Sequence, residues 1–220
     1  MNKVLAIIRK DILLELRMRE VFTSVLVFAV LTIVIFNFAF DAQNGNIGLV
    51  APGVLWVAFT FAGVLVLNRT FALEREKGCL EGLMLCPVER DLLYWGKMLA
   101  AFLLMLVIEI VVTPVFLVLY DLPLFVPELI LIIVLATLAF VSVGTLFSAL
   151  TANIRARDIM LPVLFFPIVV PVIISAVKAT EIALDGGPFS DLALWLEIMA
   201  AFDAAFLVIS SLVFEFVIEE

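Results

Sequence analysis

Long uncharged blocks separated by short polar segments run along the 220-residue chain. A helix that crosses the hydrocarbon core of a bilayer, roughly 30 Å thick, needs about 20 mostly apolar residues. Six blocks meet this requirement, although the last one contains Glu197, Asp203 and Glu215. The predicted spans are residues 21–40, 47–68, 98–120, 129–154, 159–177 and 192–218. We therefore predict an all-α integral membrane protein in which residues 1–220 form a single transmembrane domain.

The basic residues predict how these six helices are oriented. Lys and Arg collect in cytoplasmic segments near span ends, whereas Asp and Glu have little influence on topology. Of the 13 basic residues, five precede the first span, five lie in the second loop and two in the fourth, which places twelve on one side. The exception is Lys178, in the fifth loop. Both termini are therefore expected in the cytoplasm.

Composition excludes several kinds of chemistry. The chain is 65% hydrophobic and 15% charged, against about 45–50% and about 25% in soluble domains. It contains no His, so it offers no imidazole for acid-base catalysis, for a metal or for haem iron. It also lacks the G-x-x-x-x-G-K-[ST] loop that holds nucleotide phosphates. We expect no catalytic residue, no metal site and no nucleic-acid partner, and any uphill transport must draw its energy from a partner or an ion gradient.

Residues 1–20 form an amphipathic segment ahead of the first span. Leu5, Ile8, Ile12 and Leu16 recur at helical spacing, and charged residues occupy the other faces. Such a helix lies in the membrane interface with its basic groups near anionic lipid headgroups. Two interpretations stay open, a simple membrane anchor and a moving helix beside a gate.

The second cytoplasmic loop, residues 69–97, is the longest polar segment. The second span is predicted to continue as a helix through residues 71–77 and to stop at Gly78, because glycine adopts positive φ at little cost. Residues 79–85 then predict a short amphipathic helix that ends before Pro87. Tyr94 and Trp95, aromatic residues typical of the membrane interface, lie where the chain enters the third span.

A short rigid helix held between two spans is suited to transmitting force from a cytosolic partner whose groove receives its apolar face. The alternative is an ordinary loop helix that lies on the membrane surface. The candidate partner contacts are Glu74, Arg75, Glu76, Leu80, Glu81, Leu83 and Arg90.

Glu109 lies near the middle of the third span, where a charge is costly. Its carboxyl is expected to be protonated, paired or facing water, and Thr113 offers a polar group one turn later. Two interpretations stay open, a place in a substrate path or proton relay and a neutral carboxyl bonded to a neighbouring helix. Asp203 and Glu215 are expected to reach water, because they lie nearer the ends of the sixth span.

Two sets of residues predict how the spans pack and move. Pro162, Pro167 and Pro171 remove three backbone donors from the fifth span and predict kinks, which makes this span a candidate moving or pathway-lining element. A small-residue face in the fourth span predicts close helix contact. Its members are Gly144, Ser148 and Ala152.

Four further stretches carry a family resemblance. They read APGVLW from Ala51, EREKGCLEGL from Glu74, PVER from Pro87 and GK at Gly96. Together with the fifth-span prolines and the six-span plan, they resemble the haem exporter protein B family, the permease component of the cytochrome c maturation ABC transporter. This family belongs to the broader class of type-2 ABC exporter permeases, and the resemblance covers essentially the whole chain.

The resemblance implies partners and a cargo. A separate cytosolic ATPase subunit would bind ATP, and residues 74–85 would form the coupling helix docked on it. Two permease copies would assemble with two ATPases, a haem-handling membrane protein and a small single-span subunit in the bacterial inner membrane. ATP turnover would then drive haem export or release of a haem-loaded chaperone, with haem as cargo and no cofactor bound by this chain.

Three other functions stay open at this point. The first is a general type-2 exporter permease for a lipid or a drug. The second is a proton-coupled carrier that uses Glu109 and needs no ATPase. The third is a purely structural subunit of a membrane complex.

Overall fold

Seven α-helices make up the part of the chain that the computed structural model describes, which is residues 2–17, 19–40, 47–71, 90–151, 154 and 156–217. They are α1 Asn2–Arg17, α2 Arg19–Ala39, α3 Ile47–Leu67, α4 Arg90–Leu119, α5 Pro127–Thr151, α6 Arg157–Leu184 and α7 Phe189–Val217. These residues contain no β-strand. Helices α2 to α7 are each long and apolar enough to cross a membrane. The predicted all-α membrane fold with six spans is therefore confirmed.

Two helices extend well beyond their predicted spans. Helix α4 begins at Arg90, eight residues before the predicted start, and α6 ends at Leu184, seven residues after the predicted end. At 1.5 Å per residue, the 30 residues of α4 measure about 45 Å, more than the hydrocarbon thickness. Both helices therefore project into the polar layers. The projecting end of α6 carries Lys178, whose Nζ lies 2.7 Å from Oε2 of Glu181.

Helix α5 occupies the centre of the bundle. Among the described helices it packs most extensively against α7 and α6, and it also contacts α3 and α4. A Cβ on Gly144 would overlap the side chain of Leu67, so the missing side chain lets α3 and α5 approach closely. One turn later, the Ser148 hydroxyl donates to the Leu67 carbonyl at 2.7 Å. The predicted small-residue contact is confirmed at these two positions, and Ala152 lies outside the described residues.

Polar side chains join helices that are distant in sequence. Trp56, within the APGVLW stretch, is fully buried, and its Nε1–H donates to Oγ1 of Thr180 at 2.9 Å, which ties α3 to α6. Asn37 of α2 donates through Nδ2 to the carbonyl of Leu119 at the end of α4, at 3.1 Å. Because lipid offers no competing hydrogen bonds, such contacts fix the relative positions of the helices.

The end of α3 differs from the prediction. The prediction that this helix continues through residue 71 is wrong, because α3 ends at Leu67 and residues 68–71 form turns. The rest of the predicted continuation, residues 72–77, lies outside the described residues. The amides of the two residues after Asn68 donate to carbonyls three residues earlier rather than four, which tightens and ends the helix. Phe71 is thereby turned inward, and its side chain is 2% exposed. Burial of this ring explains why α3 ends at Leu67 and the chain turns inward over residues 68–71.

Helix α1 is docked on the bundle. A Cβ on Gly96 would come within 2.8 Å of the Ile7 side chain, so the glycine allows α1 to lie directly against α4. Helix α1 packs more extensively on α4 than on α2, its neighbour in sequence. Leu5 and Leu13 are more than half exposed and belong to its outer apolar face. The predicted N-terminal amphipathic helix is present and is held by the start of α4.

Candidate functional site

The segment predicted to contact a cytosolic partner lies outside the described residues. It contains Glu74, Arg75, Glu76, Leu80, Glu81 and Leu83. The structure describes the residues on either side of segment 72–89. Phe71 is buried, whereas Arg90, the first residue of α4, is half-buried. The two points at which this segment joins the bundle are therefore defined, together with their surroundings.

Lys97 is the buried cation of this junction. It lies in α4 with 1% of its surface exposed. Its Nζ donates to the Thr70 carbonyl at 2.9 Å and lies 3.4 Å from Oδ2 of Asp11 in α1. The same ammonium lies 4.7 Å from the centroid of the Phe71 ring. A buried charge is tolerated only when it is paired and hydrogen-bonded, and here the carboxylate, the carbonyl and the aromatic face supply those contacts.

An aromatic cluster extends from Phe71 into the bundle. The Phe71 and Phe214 ring centroids lie 6.0 Å apart, and the Phe214 and Tyr94 centroids lie 5.2 Å apart. Tyr94 is fully buried, and its hydroxyl donates to the carbonyl of Ser142 in α5 at 3.1 Å. Tyr94 therefore packs inside the bundle, where its side chain on α4 contacts α5 and α7. Through this cluster the turn at residues 68–71 contacts the C-terminal part of α7.

A small cavity lies beside Lys97, where α1, α3 and α4 meet. Its volume is about 60 Å³, and its polar side is formed by Asp11, Arg69, Thr70 and Lys97. The remaining wall is apolar and includes the short side chain of Ala100. A space of this size with polar groups on one side has room for a few water molecules. The ion pair can therefore be hydrated while it stays buried.

Glu109 lies inside the bundle and is bonded to the neighbouring helix. It is 1% exposed, ten residues before the end of α4, and Thr137 of α5 is fully buried. The Thr137 Oγ1 lies 2.7 Å from Oε1 and 2.8 Å from Oε2 of Glu109. A hydroxyl has one proton to donate, so two short contacts to one carboxyl group suit a neutral acid that donates in return. The geometry agrees with the interpretation of Glu109 as a carboxyl bonded to an adjacent helix.

Thr113, predicted as a polar group near Glu109, does not join this pair. It is half-buried, and its Oγ1 is enclosed without a hydrogen-bond partner among the described residues. Thr137 takes the expected place, although it is 28 residues away along the chain. Sequence reasoning missed Thr137, because nothing in the sequence distinguishes it from the other Ser and Thr residues of α5.

Asp203 corrects a second expectation. It lies 14 residues from either end of α7, is 4% exposed, and neither of its carboxyl oxygens has a partner among the described residues. The prediction that it reaches water is wrong, because α7 extends equally far on both sides of it and buries it against the bundle. The side chain of Glu215, predicted alongside it, lies outside the described residues.

The three prolines of the fifth span lie within the continuous helix α6. Pro162 is half-buried, whereas Pro167 and Pro171 are exposed on one face together with Val163. Val163, Pro167 and Pro171 follow one another at four-residue spacing. Because proline has no amide hydrogen, Pro167 and Pro171 leave the carbonyls of Val163 and Pro167 without their helical donors. The Ser175 hydroxyl donates to the next carbonyl, that of Pro171, at 2.8 Å. The exposed face of α6 therefore combines apolar side chains with carbonyls that lack their helical donors.

The pairing of Lys97 with Asp11 is the other feature that sequence reasoning missed. The pattern places Lys97 among the cations of a cytoplasmic loop, and the two residues are 86 positions apart. The signals present in the sequence are a Lys seated in an apolar helix directly after Gly96, and one Asp among the basic residues of α1. Among the described residues there is no group of three or more Cys, Asp or Glu side chains arranged to hold a metal ion.

These features define an all-α membrane protein with six spans, a docked N-terminal helix and a polar segment between the second and third spans. The family model described as "CcmB protein" matches residues 2–219, and the chain belongs to this family.

Several curated relatives carry the description "Heme exporter protein B". The protein from Pseudomonas aeruginosa is 30% identical over 177 residues, 80% of this chain and 79% of the relative. The protein from Rhodobacter capsulatus is 28% identical over 184 residues, covering 82% and 84%. The protein from Bradyrhizobium diazoefficiens is 28% identical over 191 residues, covering 86% of both.

Proposed function

We propose that this chain is the permease subunit of an ATP-driven haem exporter of the cytochrome c maturation system. The observation that carries the proposal is membership of the CcmB family over residues 2–219, together with relatives described as heme exporter protein B. The six candidate spans supply the membrane body that such a subunit requires. In this proposal the chain itself catalyses no reaction, and ATP is bound and hydrolysed by a separate cytosolic ABC ATPase.

The ATPase contacts segment 72–89 in this proposal. Glu74, Arg75, Glu76 and Glu81 provide charged contacts, and Leu80 with Leu83 provides the apolar face that enters the ATPase groove. The buried surroundings of Phe71 at one end and of Lys97 beyond the other end support this role. A segment whose ends are rigidly held transmits displacement to the helices, whereas one on mobile tethers would absorb it.

The exposed face of α6 is the moving interface of the proposed transporter. Carbonyls without helical donors are unfavourable against lipid, where every backbone polar group must be satisfied by protein or water. Val163 is 58% exposed, and Pro167 and Pro171 on the same face are also exposed. We therefore assign this face to the second permease copy or to a water-filled path between the two copies. Glu109 stabilises the contact of α4 with α5 and does not line that path.

The complex in this proposal includes a haem-handling membrane protein and a small single-span subunit in the inner membrane, with both termini of the chain in the cytoplasm. Haem is its cargo, or a haem-loaded chaperone is released by its ATP turnover. The chain has no His, so it offers no imidazole to haem iron. Transmitting force to haem-handling partners suits such a composition better than holding the iron.

Two substitutions in segment 72–89 test the proposed coupling contact. Leu83→Asp places a charge on the apolar face, and Glu81→Arg reverses a charge at its edge. Both are expected to abolish co-purification of the ATPase while the chain still inserts into the membrane. The matched control is Leu124→Asp, at a residue that is 68% exposed between α4 and α5, on the other side of the bundle.

Co-purification is measured from detergent-solubilised membranes with an affinity tag on the permease and quantification of the ATPase band. Membrane insertion is measured in parallel by the amount of permease in the washed membrane fraction. Retention of the ATPase by both segment variants at the level of the Leu124→Asp control would refute the assigned contact.

A further inference from the structure

We propose that the turn between α6 and α7, residues 185–191, is a docking surface for a protein domain that carries an apolar pocket with a basic rim. Helices α4 and α6 cross in the same direction, because α5 runs back between them, so both end at the face of the bundle away from Lys97. The proposal assigns an interaction to this face. It goes beyond the proposed function and does not depend on the ATPase contact.

The backbone of this turn is held in one conformation. Gly186 has a φ of +68°, in the left-handed region that glycine adopts at little cost. The amides of Gly186 and Gly187 donate to carbonyls three and five residues earlier, at 3.4 and 2.9 Å, which is the Schellman arrangement at a helix C-terminus. Pro188 then fixes the backbone directly before α7 begins at Phe189. The ring of Phe189 is therefore presented from a preorganised turn.

Phe189 is exposed at a point that lies beyond the apolar part of the bundle. Its side chain is 62% exposed. Residues 178–184 extend α6 past the predicted end of its span by about 10 Å, at 1.5 Å per residue, so the turn stands away from the hydrocarbon core. An aromatic side chain that enters a pocket on a partner is a common source of binding energy between proteins. The position of Phe189 suits such an anchor.

The residues around Phe189 are acidic. Asp185 precedes it by four residues and Asp191 follows it by two, and both are exposed. The chain has a single basic residue after residue 157, which is Lys178. Its ammonium is paired with the carboxylate of Glu181. The ring is therefore bordered by negative charge.

This charge selects the occupant of the surface. The loop between α4 and α5, at the same face of the bundle, adds Asp121 and Glu128 and contains no basic residue. A second copy of the chain presents the same acidic face, and anionic lipid headgroups are also negative, so both are repelled. A domain with Lys or Arg around an apolar pocket is attracted by the carboxylates and receives the ring. The surface therefore fits a basic protein partner.

The test places the photo-crosslinking residue p-benzoylphenylalanine at position 189 of the full chain in native membranes. Position 190 is also exposed and is the second site, which keeps the test decisive if the first variant folds poorly. The matched control is position 194, because Leu194 is 57% exposed on the same helix but lies within the predicted apolar span. The crosslinked products are identified by mass spectrometry, which also locates the crosslinked peptide on the partner.

We expect positions 189 and 190 to crosslink to one protein, at an apolar site bordered by Lys or Arg, and position 194 to crosslink to lipid. Asp185→Asn combined with Asp191→Asn should lower the crosslinking yield by about fivefold, because it removes the complementary charge. About 0.5 M NaCl should lower the yield similarly, because salt screens exposed charges. Glu197→Gln, at an exposed residue further along α7, is the charge control and should leave the yield unchanged.

Crosslinks from positions 189 and 190 that are absent, or confined to lipid or to a second copy of the chain, would overturn the proposal. A crosslinked protein whose yield does not respond to the two neutralising substitutions or to salt would overturn it as well. Purification of the chain without an ATPase would refute the proposed function instead and would leave the result at this surface unaffected.

Discussion

Replacement of Thr137 by Val should lower the free energy of unfolding by about 1–1.7 kcal/mol, because it removes the partner of a buried carboxyl group. Both Glu109 oxygens lie within 2.8 Å of the Thr137 hydroxyl, and the two residues are almost completely buried. A buried polar group left without its partner costs about 1–3 kcal/mol. Double-mutant cycles between membrane helices give about 0.6 kcal/mol on average and about 1.7 at most. The expected value lies where these ranges overlap.

Thr145→Val is the matched control for this substitution. Thr145 lies on the same helix and is fully buried, but its Oγ1 has no hydrogen-bond partner among the described residues. Loss of an unpaired buried hydroxyl should leave stability unchanged or slightly increased. A further variant, Glu109→Leu combined with Thr137→Val, should be less destabilised than the sum of its single changes, because it removes both polar partners.

The assay is reversible unfolding in mixed micelles, followed by the fluorescence of the three tryptophans, with the free energy extrapolated to zero denaturant. The reasoning predicts a clear loss of stability in Thr137→Val and none in Thr145→Val. Equal changes in these two variants, or additive effects in the double variant, would refute the energetic role assigned to the Glu109 contact.

Two further predictions concern close packing and the role of Glu109. Gly144→Ala should destabilise the protein by about 1–3 kcal/mol, because the added Cβ overlaps Leu67. Gly53→Ala should instead stabilise it by about 0.5–1 kcal/mol, because nothing lies within 4 Å of the new Cβ. Similar effects of the two substitutions in the unfolding assay would contradict the close contact of Gly144 with Leu67. Glu109→Gln should support cytochrome c maturation within about twofold of wild type, measured by haem-stained cytochrome in membranes, because an amide still bonds to a threonine hydroxyl. Loss of activity in Glu109→Gln, with transport that persists after ATP depletion, would favour the proton-coupled carrier instead.

The sequence predicts the number and order of the spans well, because membrane insertion depends on the length of apolar blocks. It predicts helix ends less well. Apolar length reports the thickness of the bilayer, whereas α4 and α6 extend beyond it into the polar layers. The end of α3 is set by burial of Phe71 against the bundle, a tertiary contact that local sequence does not reveal.

The internal polar contacts lie beyond what sequence spacing can predict. Glu109 stands out as a charge within a span, but its partner Thr137 is one of several hydroxyl residues in α5. The apolar pattern predicts that Asp203 lies near an end of the sixth span and reaches water, whereas it lies buried at the middle of α7. The prediction is wrong because an apolar block does not define exactly where a helix begins and ends. Lys97 resembles a loop cation until the fold brings Asp11 to it.

The claim that this chain couples a separate ATPase to haem-handling partners is tested most directly by purifying it from native membranes. A tagged chain expressed at its natural level would be isolated in mild detergent, and its bound proteins identified and quantified by mass spectrometry. We predict a cytosolic ABC ATPase in equal amount to the permease, together with a haem-handling membrane protein. A chain recovered alone, or with partners that include no ATPase, would contradict the claim.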